Sequence, residues 1–212
     1  MTKAERAKLA TEALEKLYPD EKCSLEYGEE PWKLMVMGRL SAQCTDSRVN
    51  KTCKELFCVY PTLKDLAYAD VKAVAEIVRP CGFHNTKSRD IVAEAKKLYE
   101  EFNGIIPRDM DTLLTFPGIG RKIANLLLGD IYGMPAIVCD THCIRISARL
   151  GLTKKGERDP VRTEKALVPI IPPEKSADFC HRIVAFGREI CTARNPSCDN
   201  CPLADLCKKQ IV

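Results

Sequence analysis

Two groups of residues in this chain have the types and spacing to do chemistry. The first begins with Lys122, which follows Pro117-Gly118-Ile119-Gly120 and opens the apolar series Ala124, Leu127, Leu128, Ile131. That i, i+3, i+4, i+7 spacing predicts a helix with the lysine in its first turn, where the positive end of the macrodipole opposes an ammonium. A lysine so placed is a candidate amine nucleophile. Asp140, ahead of THCIRISARLG, can cap a further helix and act as an acid/base partner. Each also has an ordinary reading, as a solvated helix lysine and a plain N-cap.

The second group is C-x6-C-x2-C-x5-C, formed by Cys191, Cys198, Cys201 and Cys207 within seventeen residues. Four thiols so close call for a metal. Zinc sites more often pair short C-x2-C knuckles and uneven spacing suits a cubane iron–sulfur cluster, so the spacing alone leaves both metals open. Either would fix a loop too small to bury enough apolar surface by itself. It would also turn Arg194, Lys208 and Lys209 toward phosphates.

The elements that must position these groups are helices. Asp111 can cap a short helix through Phe116, PGIG breaks it, and the helix of Lys122 follows, which makes a helix-hairpin-helix. Gly118 and Gly120 lack Cβ, so the turn can take φ > 0 and bring its N–H groups against a DNA phosphate. On the turn alone, a tight corner is the ordinary reading.

Elsewhere, Ala10, Leu14 and Leu17 share a face over 3–18, and Pro31 opens the apolar segment WKLMVMGRL. Asp46 is expected to cap the next helix, Thr62 with Asp65 to start LKDLAYA, and Asp70 to cap VKAVAEIV, closed by Pro80. Ile91, Ala95 and Leu98 mark a helix from about Asn85 to Phe102, stopped at Asn103-Gly104. Asp159 and Pro160 start another, and the last runs from near Pro173 to Cys191. The loop residues Lys154, Lys155 and Arg158 read as a solvated charged loop. No segment alternates with period two, so the expected fold class is all-α.

The chain has 212 residues, 45% hydrophobic and 29% charged, with a formal net charge of +4. An excess of four charges does not by itself prove a nucleic-acid partner. No apolar run could span a bilayer, and MTKAERAKLATEALEKL is charged throughout. An intracellular, cytoplasmic protein is expected. Its twelve cysteines are then reduced thiols, and the eight outside 191–207 are expected to be small buried apolar residues.

FPGIGRKIAN at 116–125, then CDTH with Arg145 and Arg149, resembles the signature of the helix-hairpin-helix DNA glycosylases of the endonuclease III type. LSAQCTD at 40–46, CGFHNTKS at 81–88 and the four cysteines match the same family in the same order, over about residues 31–207. Cys44, Cys139 and Phe186 depart from the usual pattern, and none removes a functional residue.

The resemblance implies a two-domain fold, with a helical domain at 24–135 and a discontinuous cluster domain from 1–23 and 136–212. It implies a [4Fe-4S] cluster on the four cysteines. It further implies a bifunctional glycosylase and AP lyase acting, as a monomer, on double-stranded DNA with damaged pyrimidines or abasic sites. Gln43 would enter the space left by a flipped nucleotide, and Phe83 would wedge into the base stack. From residue type alone, Phe83 reads as core. A monofunctional adenine-mismatch glycosylase is expected to lack the lysine and to need a further C-terminal domain. A non-enzymatic DNA-binding module would have no use for Lys122 with Asp140.

Overall fold

Most helices of this chain begin where a side chain accepts from an otherwise orphaned backbone N–H, which is the local reason each starts where it does. In the computed structural model, which describes residues 1–209, Thr2 Oγ1 accepts from Glu5 N at 3.2 Å and Glu5 Oε2 accepts from Thr2 N at 2.7 Å. This capping box starts α1 (Lys3–Leu17). Pro31 is the first residue of α2 (Pro31–Leu40), followed by α3 (Asp46–Val59). Thr62 and Asp65 form the expected capping box of α4 (Leu63–Ala67), and Asp70 caps α5 (Val71–Val78) by accepting from Ala73 N.

A 3-10 turn, Arg79–Cys81, leads to α6 (His84–Phe102), which ends at Asn103 in the left-handed region. Then come α7 (Met110–Leu113), α8 (Arg121–Tyr132), α9 (Thr141–Leu150), α10 (Pro160–Leu167) capped by Asp159, and α11 (Ser176–Glu189) after a 3-10 turn at Pro173–Lys175. Among the described residues there is no strand, as expected of an all-α chain.

Two expected caps are displaced. Thr45, not Asp46, stands at the cap of α3, and Asp46 Oδ2 instead accepts from Ser24 Oγ at 2.7 Å. Asp109, not Asp111, caps α7, with Oδ1 accepting from Thr112 N at 2.8 Å. The helix of α7 also closes at Leu113 rather than running to Phe116.

The chain divides into two compact units, Ser24–Tyr132 and the discontinuous pair Met1–Cys23 with Gly133–Val212, whose last three residues lie outside the described ones. In the first, α2 is the central helix, packed by α6 and α8. Leu34, Met35, Val36, Met37 and Leu40 are at most 1% exposed. Full burial of each such side chain contributes roughly 1.5–3 kcal/mol. Gly38 lets α8 close in, since a Cβ there would stand 3.0 Å from Ile123 Cγ2. Asn50 of α3 ties down the start of the unit by donating to Ser24 O and accepting from Glu26 N.

In the second unit, α11 packs against both α1 and α9. Ala7, Ala10 and Leu14 share its core with Cys143, Phe179 and Ile183. Polar ties support the same packing: Lys175 pairs with Glu15 at 2.7 Å, and Tyr18 Oη donates to Glu189 at 2.9 Å. None of the described helices is long and apolar enough to cross a membrane.

Candidate active site and cluster loop

Within Ser24–Tyr132, the hairpin is built on one glycine that must be glycine and one that faces open space. Gly118 has φ +73°, and a Cβ there would lie 2.4 Å from Arg39 Nε and 3.0 Å from Asp90 Cβ. Arg39 is held in place by Asp90, with Nε donating to Oδ2 at 2.8 Å. Gly120 has nothing within 4 Å of the same position. Its carbonyl accepts from Ile123 N and Ala124 N, so it opens α8, while Ile119 N is taken by Phe116 O. Among the described residues, the N–H groups of Gly118 and Gly120 have no acceptor. Two backbone donors left without an acceptor at a helix start have the chemistry to bind an anion.

Lys122 stands two residues beyond, exposed, in the first turn of α8, with no hydrogen-bond or ion-pair partner among the described residues. Glu94 of α6 is fully buried, and among the described residues neither carboxylate oxygen has a hydrogen-bond partner. Burial holds its pKa well above the ordinary 4.5, with Arg39 lowering it and Asp90 raising it.

Gln43 and Phe83 are exposed tips of the same unit, and both adopt left-handed backbone, at φ 54° and 48°. Such strain in a non-glycine residue costs on the order of 1–3 kcal/mol and persists only where the surroundings enforce it. Phe83 is 65% exposed, so it is not a core residue. The loops of both tips are bonded by a residue that sequence reasoning passed over. Lys87, 1% exposed on α6, donates from Nζ to Leu40 O at 2.8 Å, Ala42 O at 2.7 Å and Cys81 O at 2.8 Å. Its signal was available, because Lys87 lies one turn before Ile91 on the Ile91, Ala95, Leu98 stripe.

In the other unit, Asp140 is half-buried and caps α9, its Oδ1 accepting from Cys143 N at 2.7 Å. His142 lies in the next turn, and burial lowers its pKa from the ordinary 6.5 despite the nearby Asp140 carboxylate. Gly187 of α11 allows this helix contact, since a Cβ there would meet His142 Nδ1 at 2.5 Å.

The four cysteines line one cavity whose walls include Phe186, Ile190 and Leu203. Burial pushes the thiols of Cys201 and Cys207 up, and Cys191 and Cys198 add to this in both cases. Sulfurs so crowded become thiolates together only against the positive charge of bound metal, so the donor set fits an iron–sulfur group. Arg149, 6% exposed, donates to Cys191 Sγ at 3.3 Å, Thr192 O at 2.7 Å and Ala193 O at 2.9 Å. Arg145 donates to Gly187 O and to Cys191 O, at 3.2 and 2.9 Å. The two arginines thereby brace the cluster loop against α9, the helix that Asp140 caps.

Of the other cysteines, Cys53, Cys81, Cys139, Cys143 and Cys180 are buried as expected. Cys23 and Cys44 are only partly buried and Cys58 is exposed, so three are not core residues. Lys154, Lys155 and Arg158 are exposed, as in a solvated loop.

Residues 36–173 match the model of the HhH-GPD superfamily base excision DNA repair proteins, and residues 191–207 match the iron–sulfur binding domain of endonuclease III. Endonuclease III of Synechocystis sp. is 44% identical over 207 residues, covering 97% of this chain and 93% of that one. The chain belongs to the endonuclease III family. The Escherichia coli K12 endonuclease III is 33% identical across 98% of this chain and 97% of its own. A non-covalent endonuclease III–DNA complex superposes with a TM-score of 0.91, at 37% identity, over 99% of this chain and 97% of that chain. A trapped endonuclease III–DNA covalent intermediate gives 0.90 with the same identity and coverage. As in the family, the loop carries a [4Fe-4S] cluster.

Proposed function

We propose that the chain removes oxidised pyrimidines from duplex DNA and cleaves the strand 3′ to the resulting abasic site. It is a bifunctional glycosylase and lyase of base excision repair, working as a monomer in the cytoplasm, the compartment that keeps cysteines such as these reduced. The observation that carries this reading is the exposed, unpartnered amine of Lys122, two residues beyond the open backbone of Gly120. A family member of 37% identity has been trapped covalently on DNA, which supports amine chemistry over mere phosphate contact.

The damaged nucleotide leaves the stack, and Gln43 and Phe83 take up the gap. The N–H groups of Gly118 and Gly120 hold a backbone phosphate. Neutral Lys122 Nζ attacks C1′, the base departs with its bonding pair, and ring opening gives a Schiff base. Loss of the C2′ proton then expels the 3′ phosphate, and water releases the lysine. Asp140 accepts and returns protons and offsets positive charge growing on the sugar. Cys191, Cys198, Cys201 and Cys207 hold the cluster, which supplies a rigid cross-link for the loop.

Borohydride reduction on an abasic duplex tests this reading. The wild-type protein should be trapped, and Lys122→Gln should bind the duplex but form no adduct. If Lys122 touches only phosphate, the same change instead lowers affinity and reduces the salt slope by about one. An adduct formed by Lys122→Gln at the wild-type rate would place the chemistry on another amine.

A further inference from the structure

Lys87 is a buried ammonium with no carboxylate bonded to it among the described residues. Its three N–H donors all go to backbone carbonyls, so its hydrogen-bonding capacity is used in full. Those carbonyls are not a random set. Leu40 O belongs to the last residue of α2, an orphan acceptor at a helix C-terminus that a cation satisfies well. Ala42 O is the carbonyl joined to the nitrogen of Gln43, and Cys81 O lies two residues before Phe83. One nitrogen thus grips the loop of each tip at 2.7 to 2.8 Å. The two loops are separated in sequence by α3, α4 and α5.

Both gripped segments carry the backbone strain noted above. Gln43 and Phe83 have positive φ, and Gly82 between Cys81 and Phe83 has φ 70° and ψ 161°. Neither tip is held by packing of its own side chain, since both side chains are exposed. Burial lowers the pKa of Lys87 from the ordinary 10.5, a cost the fold tolerates. A methionine or leucine would fill the same space on the α6 core face without that cost. The ammonium is kept for what its three donors do.

We propose that Lys87 is a positioning residue that fixes Gln43 and Phe83 relative to one another, so that they enter the gap behind a flipped nucleotide as a single preset pair. The proposal rests on the reading of Gln43 and Phe83 as gap fillers. It adds that their shared action depends on the three-carbonyl clamp.

The test compares Lys87→Met, Gln43→Ala, Phe83→Ala and the combined variants, each with its cluster loaded. Single-turnover base removal from a duplex containing an oxidised pyrimidine is divided by cleavage of a single-stranded abasic oligonucleotide. Lys87→Met should lower this ratio about tenfold, because unstacking must be offset only in a duplex. Added to the double variant Gln43→Ala/Phe83→Ala, it should change the ratio less than about twofold, since residues acting through one another are not additive. A 2-aminopurine opposite the lesion should report slower gap filling in Lys87→Met. Equal loss on both substrates, or full additivity, would make Lys87 a folding residue only and overturn the proposal.

If Gln43→Ala and Phe83→Ala themselves leave the ratio unchanged, the gap-filling reading fails and this proposal falls with it. If they lower it and Lys87→Met does not, the clamp alone is wrong. Should Lys87→Met not fold, Lys87→Gln, which keeps two donors on a shorter stem, replaces it with the same expectations. Failure of both to fold would also count against a positioning role.

Discussion

Gly118 rests on the side chain of Arg39, and a Cβ at the glycine would stand 2.4 Å from Arg39 Nε, inside any allowed contact. Arg39 cannot yield freely, because Asp90 holds it through Nε at 2.8 Å and Nη2 at 2.6 Å. Gly118→Ala therefore meets both the clash and the positive φ, and should destabilise the unit by about 1–3 kcal/mol while displacing the turn. Gly120→Ala meets nothing within 4 Å, so its melting transition should stay at the wild-type value. Its duplex affinity should nevertheless fall if the turn binds phosphate as proposed, because the methyl would fill open space beside the Gly120 N–H, unpaired among the described residues. Fluorescence anisotropy with thermal melting separates the two. Wild-type affinity in Gly120→Ala would remove this turn from the DNA surface.

Glu94 makes the stability of the same unit depend on pH. Burial raises its folded pKa well above the 4.5 at which it ionises once unfolded. Above that ordinary value the unfolded chain has lost a proton that the folded chain keeps, so stability falls as pH rises toward the folded pKa. Glu94→Gln removes the proton and keeps the shape. It should flatten the profile and be more stable than wild type at pH above the ordinary carboxyl value, where the wild-type protein loses stability. Trp32, the single tryptophan, is buried in this unit and reports its unfolding in denaturant. Parallel pH profiles for the two proteins would contradict a protonated Glu94.

Helix starts were legible in this sequence where one side chain had no competitor. Asp70, Asp140 and Asp159 each cap the helix expected of them. Asp46 and Asp111 were misread because a second suitable residue stood one or two positions earlier, and the choice was made by geometry. For Asp46 the deciding partner, Ser24, is 22 residues away and invisible to local pattern. The family was legible for similar reasons: cysteine spacing and a lysine after a glycine turn are local motifs. The supports were not. Lys87 and Arg39 act through carbonyls and a carboxylate from distant segments. Glu94 is buried without a hydrogen-bond partner among the described residues. Only the oddity of a charge on an apolar helix stripe could have marked Lys87 and Glu94.

Arg149 braces the cluster loop through four acceptors, Cys191 O, Cys191 Sγ, Thr192 O and Ala193 O. Arg149→Met keeps the buried stem and removes every donor, at about 1.5–3 kcal/mol for each charged hydrogen bond. Iron and acid-labile sulfide per protein should drop, and release of iron to a chelator should quicken. Arg149→Lys should not rescue, because one compact ammonium cannot reach acceptors arranged for a planar fork. Unchanged iron retention in Arg149→Met would show that the loop holds its shape without α9.

Asp140 has two roles that substitution can separate, since it caps α9 by accepting from Cys143 N at 2.7 Å and is proposed to manage protons at the sugar. Asn and Ser are N-caps as good as Asp, so Asp140→Asn and Asp140→Ser should melt within about 0.5 kcal/mol of wild type. Both lose the carboxylate, and base removal should fall by about 10²–10⁴. Borohydride trapping on a preformed abasic site should persist at a reduced rate, because Lys122 remains. Asp140→Ala loses cap and charge together, and should show the same catalytic loss with a further destabilisation of about 1 kcal/mol. If only Asp140→Ala lost activity, while Asp140→Asn and Asp140→Ser stayed near wild type, the residue would be a cap and the proton carrier would have to be sought elsewhere.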